Sequence, residues 1–153
     1  MSADAANINQ VTSLTSKTFQ NFANTSLQGD YIIISHPSLY NNGNGVNYVD
    51  QYRQYRASAT GGGFNAKIYS IDELNDQFGF GIVKHPAAIR DFMRYAVQGF
   101  AVKPKYLFII GRGVSYLDYV TNPPSQAMEQ MDLVQSFGWP ASDILLVAEP
   151  GTL

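Results

Sequence analysis

The fold of this chain is decided by one stretch, Lys103-Pro104-Lys105-Tyr106-Leu107-Phe108-Ile109-Ile110-Gly111-Arg112-Gly113. Its apolar run does not alternate with polar residues, and it is bounded by proline on one side and glycine on the other. A strand that is apolar on both faces is typical of a parallel sheet covered by helices above and below. The stretch therefore predicts a central strand over 106–110, and ligands of open α/β sheets bind beyond the carboxyl ends of such strands.

Other apolar runs predict further strands near 31–35, 66–70 and 144–147. The run at 66–70 alternates apolar and polar residues, which favours a position nearer a sheet edge. We expect the strands at 31–35 and 106–110 to be neighbours at the centre of a mainly parallel sheet of about four strands.

Helical spacing of apolar residues predicts the elements between the strands. The predicted helices cover residues 47–59, 71–78, 86–99 and 125–138. Pro86 suits the first turn of the third helix, and Ser125 suits the cap of the last, which we expect to end at Gly138. Strands that alternate with helices in this way predict a three-layer α/β/α sandwich. Because no helix is predicted after the fourth strand, we expect an incomplete domain.

Composition excludes several classes of function. The 153 residues carry a net charge of −2 and only 14% charged residues, so no basic patch is available for nucleic acid. No cysteine is present, which excludes a disulfide or a thiolate nucleophile in this chain. We find neither a signal peptide nor a membrane-spanning run. We interpret residues 1–29 as a lead-in segment and 30–153 as the folded subdomain.

The candidate site residues are those that follow the predicted strands. His36 ends the first strand, Arg112 and Asp118 follow the strand at 106–110, and Asp143 precedes the fourth run. Each is also compatible with a role as a cap or loop residue. His36 and His85 lack the spacing of a metal site, and Gly111-Arg112-Gly113 lacks the third glycine of a dinucleotide fingerprint. We therefore predict no metal and no cofactor in this chain.

A family resemblance is carried by several segments in a fixed order. They are Asp30-Tyr31-Ile32-Ile33-Ile34-Ser35-His36, Tyr48-Val49-Asp50-Gln51-Tyr52-Arg53, Ile68-Tyr69-Ser70-Ile71-Asp72-Glu73-Leu74, Phe80-Gly81, Pro86-Ala87-Ala88-Ile89-Arg90-Asp91-Phe92 and Tyr106-Leu107-Phe108-Ile109-Ile110-Gly111. Together they resemble the N-terminal half of the gingipain-type cysteine peptidase domain of family C25. The nearest resemblance is to gingipain-like sortase and surface proteins of Bacteroidetes secretion systems.

This resemblance implies a caspase-like α/β/α fold whose catalytic histidine and cysteine would follow Leu153. It implies protein or peptide substrates, a secreted or outer-surface location, and a partner in the remaining C-terminal half of the peptidase domain; it leaves calcium binding by the parent open. Ser142-Asp143 resembles the pair that places a carboxylate in the pocket for a basic side chain in arginine-specific members. Arg112 stands where the family tends to have aspartate, and Asp118, further along the loop, could partly substitute for that carboxylate.

Two functions follow from these expectations. In the first, the chain is the non-catalytic N-terminal part of a gingipain-like cysteine endopeptidase and is inactive alone. In the second, it belongs to a peptidase-like scaffold or binding module that has lost its catalytic pair and serves in surface assembly or secretion. A free-standing flavodoxin-like or receiver-like domain is disfavoured, because the first strand lacks an acidic cluster and no phosphate loop follows it.

Overall fold

A computed structural model of the chain describes residues 12–115, 117–118 and 125–148. Its sheet contains three parallel strands in the order β2-β1-β3. They are β1 (Tyr31–Ser35), β2 (Ala66–Ser70) and β3 (Tyr106–Ile110). Ile33 of β1 lies opposite Ile68 of β2 and Phe108 of β3, which fixes the register of the sheet.

The central strand is β1 and not β3. Every residue of β1 is buried, whereas β3 is half-exposed and forms an edge of the sheet among the described residues. The predicted adjacency of the two strands is confirmed, and so is the edge position of β2. The prediction that β3 is central was wrong. Apolar residues on both faces indicate that the two faces can be covered, but they do not show which elements lie next to the strand.

The helices lie on both faces of the sheet. They are α1 (Tyr48–Ala57), α2 (Ile71–Phe78), α3 (Ala88–Gly99), α4 (Gln126–Met131) and α5 (Ile144–Val147), with 3₁₀ turns at Thr25–Leu27 and Pro37–Leu39. α1 forms one outer layer, and α2 with α3 forms the other. This is the predicted α/β/α sandwich with a parallel sheet, in the β2-β1-β3 order with which flavodoxin-like sheets begin.

Local signals explain where the helices begin. The Asn47 side chain accepts a hydrogen bond from the Asp50 amide at 3.0 Å and caps α1. The Ser125 side chain caps α4 in the same way through the Met128 amide. α4 ends at Met131 rather than at the predicted Gly138, and Val134 is buried in the segment that follows.

The segment 144–147, predicted as a fourth strand, is the short helix α5. The prediction was wrong because a run of four apolar residues fits either structure, and contact with α3 decides between them. Leu146 is buried against the α3 layer, while Ile144 is 66% exposed.

The core has a larger and a smaller part. On the α2 and α3 side it includes Ile32, Ile34, Phe92 and Phe22, the last of which comes from the predicted lead-in segment. On the α1 side it contains Tyr31, Ile33, Val49 and Ala66.

The division of the chain at residue 30 stays a prediction, and residues 1–11 lie outside the described residues. Within the described part, no helix has the length and hydropathy needed to cross a bilayer.

Candidate functional site

The candidate site begins where β1 and β3 end side by side. Ser35 pairs in register with Ile110, so His36 and Gly111 are the first residues beyond the two strands. From β1 the chain crosses to β2 on one side, and from β2 it returns to β3 on the other side. The direction in which successive strands are added to the sheet therefore reverses between β1 and β3, and open α/β sheets bind their ligands at such a point.

His36 is held by its own turn. Its Nδ1 accepts a hydrogen bond from the Ser38 amide at 3.1 Å and lies 2.7 Å from the Ser38 hydroxyl, so it caps the turn Pro37–Leu39. Its Nε2 lies 3.7 Å from the Asp72 carboxylate at the start of α2. The imidazole is thus oriented between two elements that follow neighbouring strands, with its side chain 28% exposed.

Tyr40 adds a phenol to this end of the sheet, which the sequence analysis did not select. Its hydroxyl lies 3.5 Å from the Ser35 carbonyl. Burial, followed by the negative charges of Glu73 and Asp72, raises the pKa of Tyr40 to about 12. The phenol is therefore protonated at neutral pH and can donate a hydrogen bond.

The loop after β3 is fixed by a segment that crosses it. The Arg112 carbonyl accepts hydrogen bonds from the amides of Leu133 and Val134 at 2.8 and 3.0 Å. A Cβ atom at Gly111 would collide with the Val134 side chain, which is why glycine follows β3 directly. The Arg112 guanidinium is turned outward, with Nη1 3.2 Å from the Met131 sulfur.

Asp118 closes a small turn rather than facing Arg112. Its carboxylate accepts a hydrogen bond from the Ser115 hydroxyl at 2.6 Å, and its amide donates to the same hydroxyl oxygen at 3.2 Å. Ser115 is therefore engaged as a turn residue.

Asp132 is a buried carboxylate that the sequence analysis missed. It is 6% exposed and accepts a hydrogen bond from the Val114 amide at 3.0 Å. The Lys84 ammonium lies 3.8 Å from its second oxygen and donates to the Glu129 carbonyl at 2.5 Å. Asp132 and Lys84 therefore connect the loop before α3 to the loop after β3. Because the two residues are far apart in the sequence, no local sequence pattern indicates this contact.

Asp143 lies elsewhere, beside the length of β3. It borders a groove of about 580 Å³ that runs along the free edge of β3. The groove is lined by Met93, Val97, the stretch 104–109, Ile144 and Val147. Asp143 is thus placed beside β3 rather than next to His36; it is exposed, and the lining of the same groove includes Lys105.

The structure does not join the four predicted residues into one constellation. Among the described residues, no hydrogen bond or ion pair links any two of His36, Arg112, Asp118 and Asp143. Within the same residues, no group of three or more metal-ligating side chains occurs. The roles of the four as substrate-pocket residues stay predictions.

The sequence offers no thiolate at this site. The sequence holds no cysteine, and its two histidines, His36 and His85, both accept hydrogen bonds from backbone amides two residues further on. In each imidazole Nδ1 is the acceptor, which leaves Nε2 as the protonated nitrogen of the neutral ring.

Comparison with known proteins gives one match. A family model described as Peptidase family C25 matches residues 24–149 of the chain. No curated protein and no solved structure matches it.

Proposed function

The chain belongs to peptidase family C25, and we propose that it is the non-catalytic N-terminal part of a gingipain-like cysteine endopeptidase. The observation that carries the non-catalytic role is the absence of cysteine from all 153 residues. A cysteine peptidase needs a thiolate activated by a nearby imidazole. The chain cannot supply the thiolate, and by resemblance to the gingipain-type domain the histidine and cysteine of the parent would follow Leu153.

In this proposal the chain contributes half of the sheet and one wall of the substrate site. The free edge of β3 and the strand ends near His36 support that role, because they offer unpaired backbone and oriented polar groups. Its partners would be the remaining half of the peptidase domain and a protein or peptide substrate. Its location would be secreted or on the cell surface, by resemblance to the gingipain-type proteins.

A cleavage assay of the purified chain tests the first part of the proposal. We expect no hydrolysis of arginyl, lysyl or mixed-sequence peptides, and no mass increase with a thiol-directed irreversible inhibitor. Cleavage that copurifies with the folded chain would overturn the proposal.

The pocket role of Asp143 is tested in a longer parent that is active. Asp143→Asn should lower kcat/KM for arginyl and lysyl substrates by about tenfold or more, because a guanidinium or ammonium would lose its charged partner. Asp76→Asn is the matched control, since Asp76 pairs with Lys17 and is not among the candidate pocket residues. Equal effects on basic and apolar substrates would remove Asp143 from the pocket.

The second candidate is a catalytically inactive scaffold or binding module. The exposed aromatic side chains of Tyr106 and Phe108 favour it, because such a surface suits a protein partner. A parent protein that keeps the fold but cleaves no peptide would support this candidate. A parent protein that cleaves peptides, or in which a thiol-directed inhibitor labels a single cysteine, would exclude it.

A further inference from the structure

The loop between Tyr40 and α1 contains two asparagine–glycine pairs. They are Asn42-Gly43 and Asn44-Gly45, and no other asparagine of the chain precedes a glycine. All four residues are exposed and lie outside the helices and strands. The loop begins directly after Tyr40, whose hydroxyl lies at the carboxyl end of β1. Any chemical change in this loop therefore occurs at the end of the sheet where the candidate site lies.

An asparagine that precedes glycine can lose its side-chain amide without an enzyme. The nitrogen of the next residue gives up its proton and attacks the side-chain carbonyl carbon, Cγ. The new C–N bond closes a succinimide ring, while the Cγ–Nδ2 bond breaks and ammonia leaves. Water then opens the ring, which leaves aspartate or, when the original backbone C–N bond breaks, isoaspartate. One water molecule is consumed and one ammonia is released, with no oxidation or reduction.

The two glycines of the loop favour this reaction equally. Their φ angles are +84° at Gly43 and +76° at Gly45, and a Cβ atom at either position would meet nothing within 4 Å. In both pairs the attacking nitrogen is unshielded, because glycine has no Cβ atom. Steric access therefore does not distinguish the pairs, and the difference between them lies in their hydrogen bonds.

Hydrogen bonds hold the first pair in an unreactive arrangement. The Gly43 amide donates to Asn41 Oδ1 at 2.9 Å, so the nitrogen that would attack keeps its proton. Asn42 Oδ1 accepts hydrogen bonds from the amides of Asn44 and Val46 at 2.9 and 3.2 Å. These bonds fix the Asn42 side chain in a local turn. Ring closure at Asn42 would have to break them first.

The second pair is free of such restraints. Within the part of the chain that the structure describes, neither the Asn44 side chain nor the Gly45 amide takes part in a hydrogen bond. The electrophilic carbon and the attacking nitrogen are thus both open to solvent and free to approach each other. We propose that Asn44 is a site of spontaneous deamidation and that Asn42, in the same loop, is protected from it.

The modification changes the loop in charge and in length, whether or not the parent is a peptidase. Residues 41–46 carry no charge, so the product places a carboxylate in a neutral loop. Isoaspartate also adds one carbon atom to the backbone. Contacts between Asn42 and Val46 close the loop on either side of Asn44, through backbone and side-chain hydrogen bonds at 3.4 and 3.2 Å. Isoaspartate at position 44 therefore opens the loop directly before the Asn47 cap of α1.

Incubation of the purified chain at mildly alkaline pH, in a buffer free of ammonium, tests the proposal. Peptide mapping by mass spectrometry locates each converted asparagine, and an isoaspartate-specific methyltransferase labels the isoaspartate product. We expect Asn44 to convert about tenfold faster than Asn42, because Asn42 must first lose its hydrogen bonds. In urea, which unfolds the chain, the two rates should become about equal.

Three outcomes would overturn the proposal. In the first, Asn42 converts as fast as Asn44 in the folded chain, or faster. In the second, Asn44 stays intact in the folded chain over a time in which the unfolded chain reacts at both positions. In the third, a tenfold difference between the two rates persists in urea, because the sequence rather than the structure would then cause it.

Two variants of this exposed loop test the cause of the difference. Asn41→Ala removes the acceptor of the Gly43 amide, so conversion at Asn42 should quicken severalfold while Asn44 is unaffected. Asn44→Gln is the matched control, because a longer side chain closes the ring slowly; it should abolish conversion at position 44 and leave Asn42 unchanged. An Asn42 rate that Asn41→Ala does not alter would show that the hydrogen bond gives no protection, which would overturn the second half of the proposal.

Discussion

The two faces of the sheet are covered very differently. The α2 and α3 side carries a cluster of thirteen buried residues, and the α1 side carries four, so most of the folding free energy comes from the first. α1 packs on β2 and β1 and leaves β3 with Tyr106 and Phe108 exposed. One face of the sheet is therefore covered by a large hydrophobic core, and the other is available for contact with another polypeptide.

Aromatic and cationic groups replace aliphatic packing on the thinner face. The Arg56 guanidinium lies over the rings of Tyr31 and Phe64, at 4.6 and 5.0 Å from their centroids. The hydroxyls of Tyr31 and Tyr52 lie 3.0 Å apart. Such groups tolerate partial exposure, which fits a face that solvent can reach.

The largest expected effect compares two phenylalanines on opposite faces. Phe92→Ala on α3 should lower the free energy of unfolding by about 3–5 kcal/mol, because the ring is fully buried among aromatic neighbours. Phe108→Ala on β3 should cost less, about 1–2 kcal/mol, since the residue is 40% exposed although its ring contacts Tyr52. Urea denaturation of both variants measures the difference, and equal losses would show that the faces are equally packed.

Alkaline pH should weaken both faces through buried phenols. Burial raises the pKa of Tyr31 to about 12 and raises that of Tyr69 further. A phenol with a raised pKa in the folded state contributes stability that is complete below its ordinary value of 10 and is lost as the pH rises through the folded value. We expect the stability that Tyr31 contributes to fall between pH 10 and 12.

Single substitutions assign this loss. Tyr31→Phe and Tyr69→Phe should each flatten the fall in stability above pH 10, which denaturation at a series of pH values will show. A slope that neither substitution changes would mean that other groups cause the alkaline loss.

Helix caps should show a smaller contrast. Asn47→Ala should cost about 1 kcal/mol, because Asn47 caps a ten-residue helix that packs on the sheet. Ser125→Ala should have little effect on global unfolding, because α4 contains no buried residue. Thermal unfolding of both variants measures this, and an equal loss would show that α4 unfolds together with the core.

The smallest effect concerns the ion pair on α1. Hydrogen bonds from Arg53 and Gln54 hold the pKa of Asp50 below its ordinary value. The stability that this pair adds is present at pH values above the pKa of Asp50 in the unfolded chain. It is lost as the pH falls through the pKa of Asp50 in the folded chain. Both side chains are about one-third exposed, so Arg53→Ala should cost only about 0.3–0.5 kcal/mol at pH 7. A loss above about 1 kcal/mol would contradict this.

The sequence predicted the elements well where periodicity was long or capping was explicit. The stripe of α3, the Ser125 cap of α4 and the apolar run of β1 each specify their own structure locally, and the family model agrees with the resemblance drawn from the order of the segments. The α4 boundary was wrong because Val134 and Phe137 are packed on the core by the loop that crosses Arg112, without helical periodicity.

By itself the sequence determined the fold class, the strand adjacency and the lack of a thiolate, since apolar pattern, crossover handedness and residue type settle these locally. Only the tertiary structure decided that β1 and not β3 is central, that Asp143 lies apart from His36, and that Asp132 joins Lys84. It also decided that 144–147 packs as a helix. The physical reason is common to all four: an apolar run or a lone charge fits several environments equally, and contacts between residues distant in sequence select one of them.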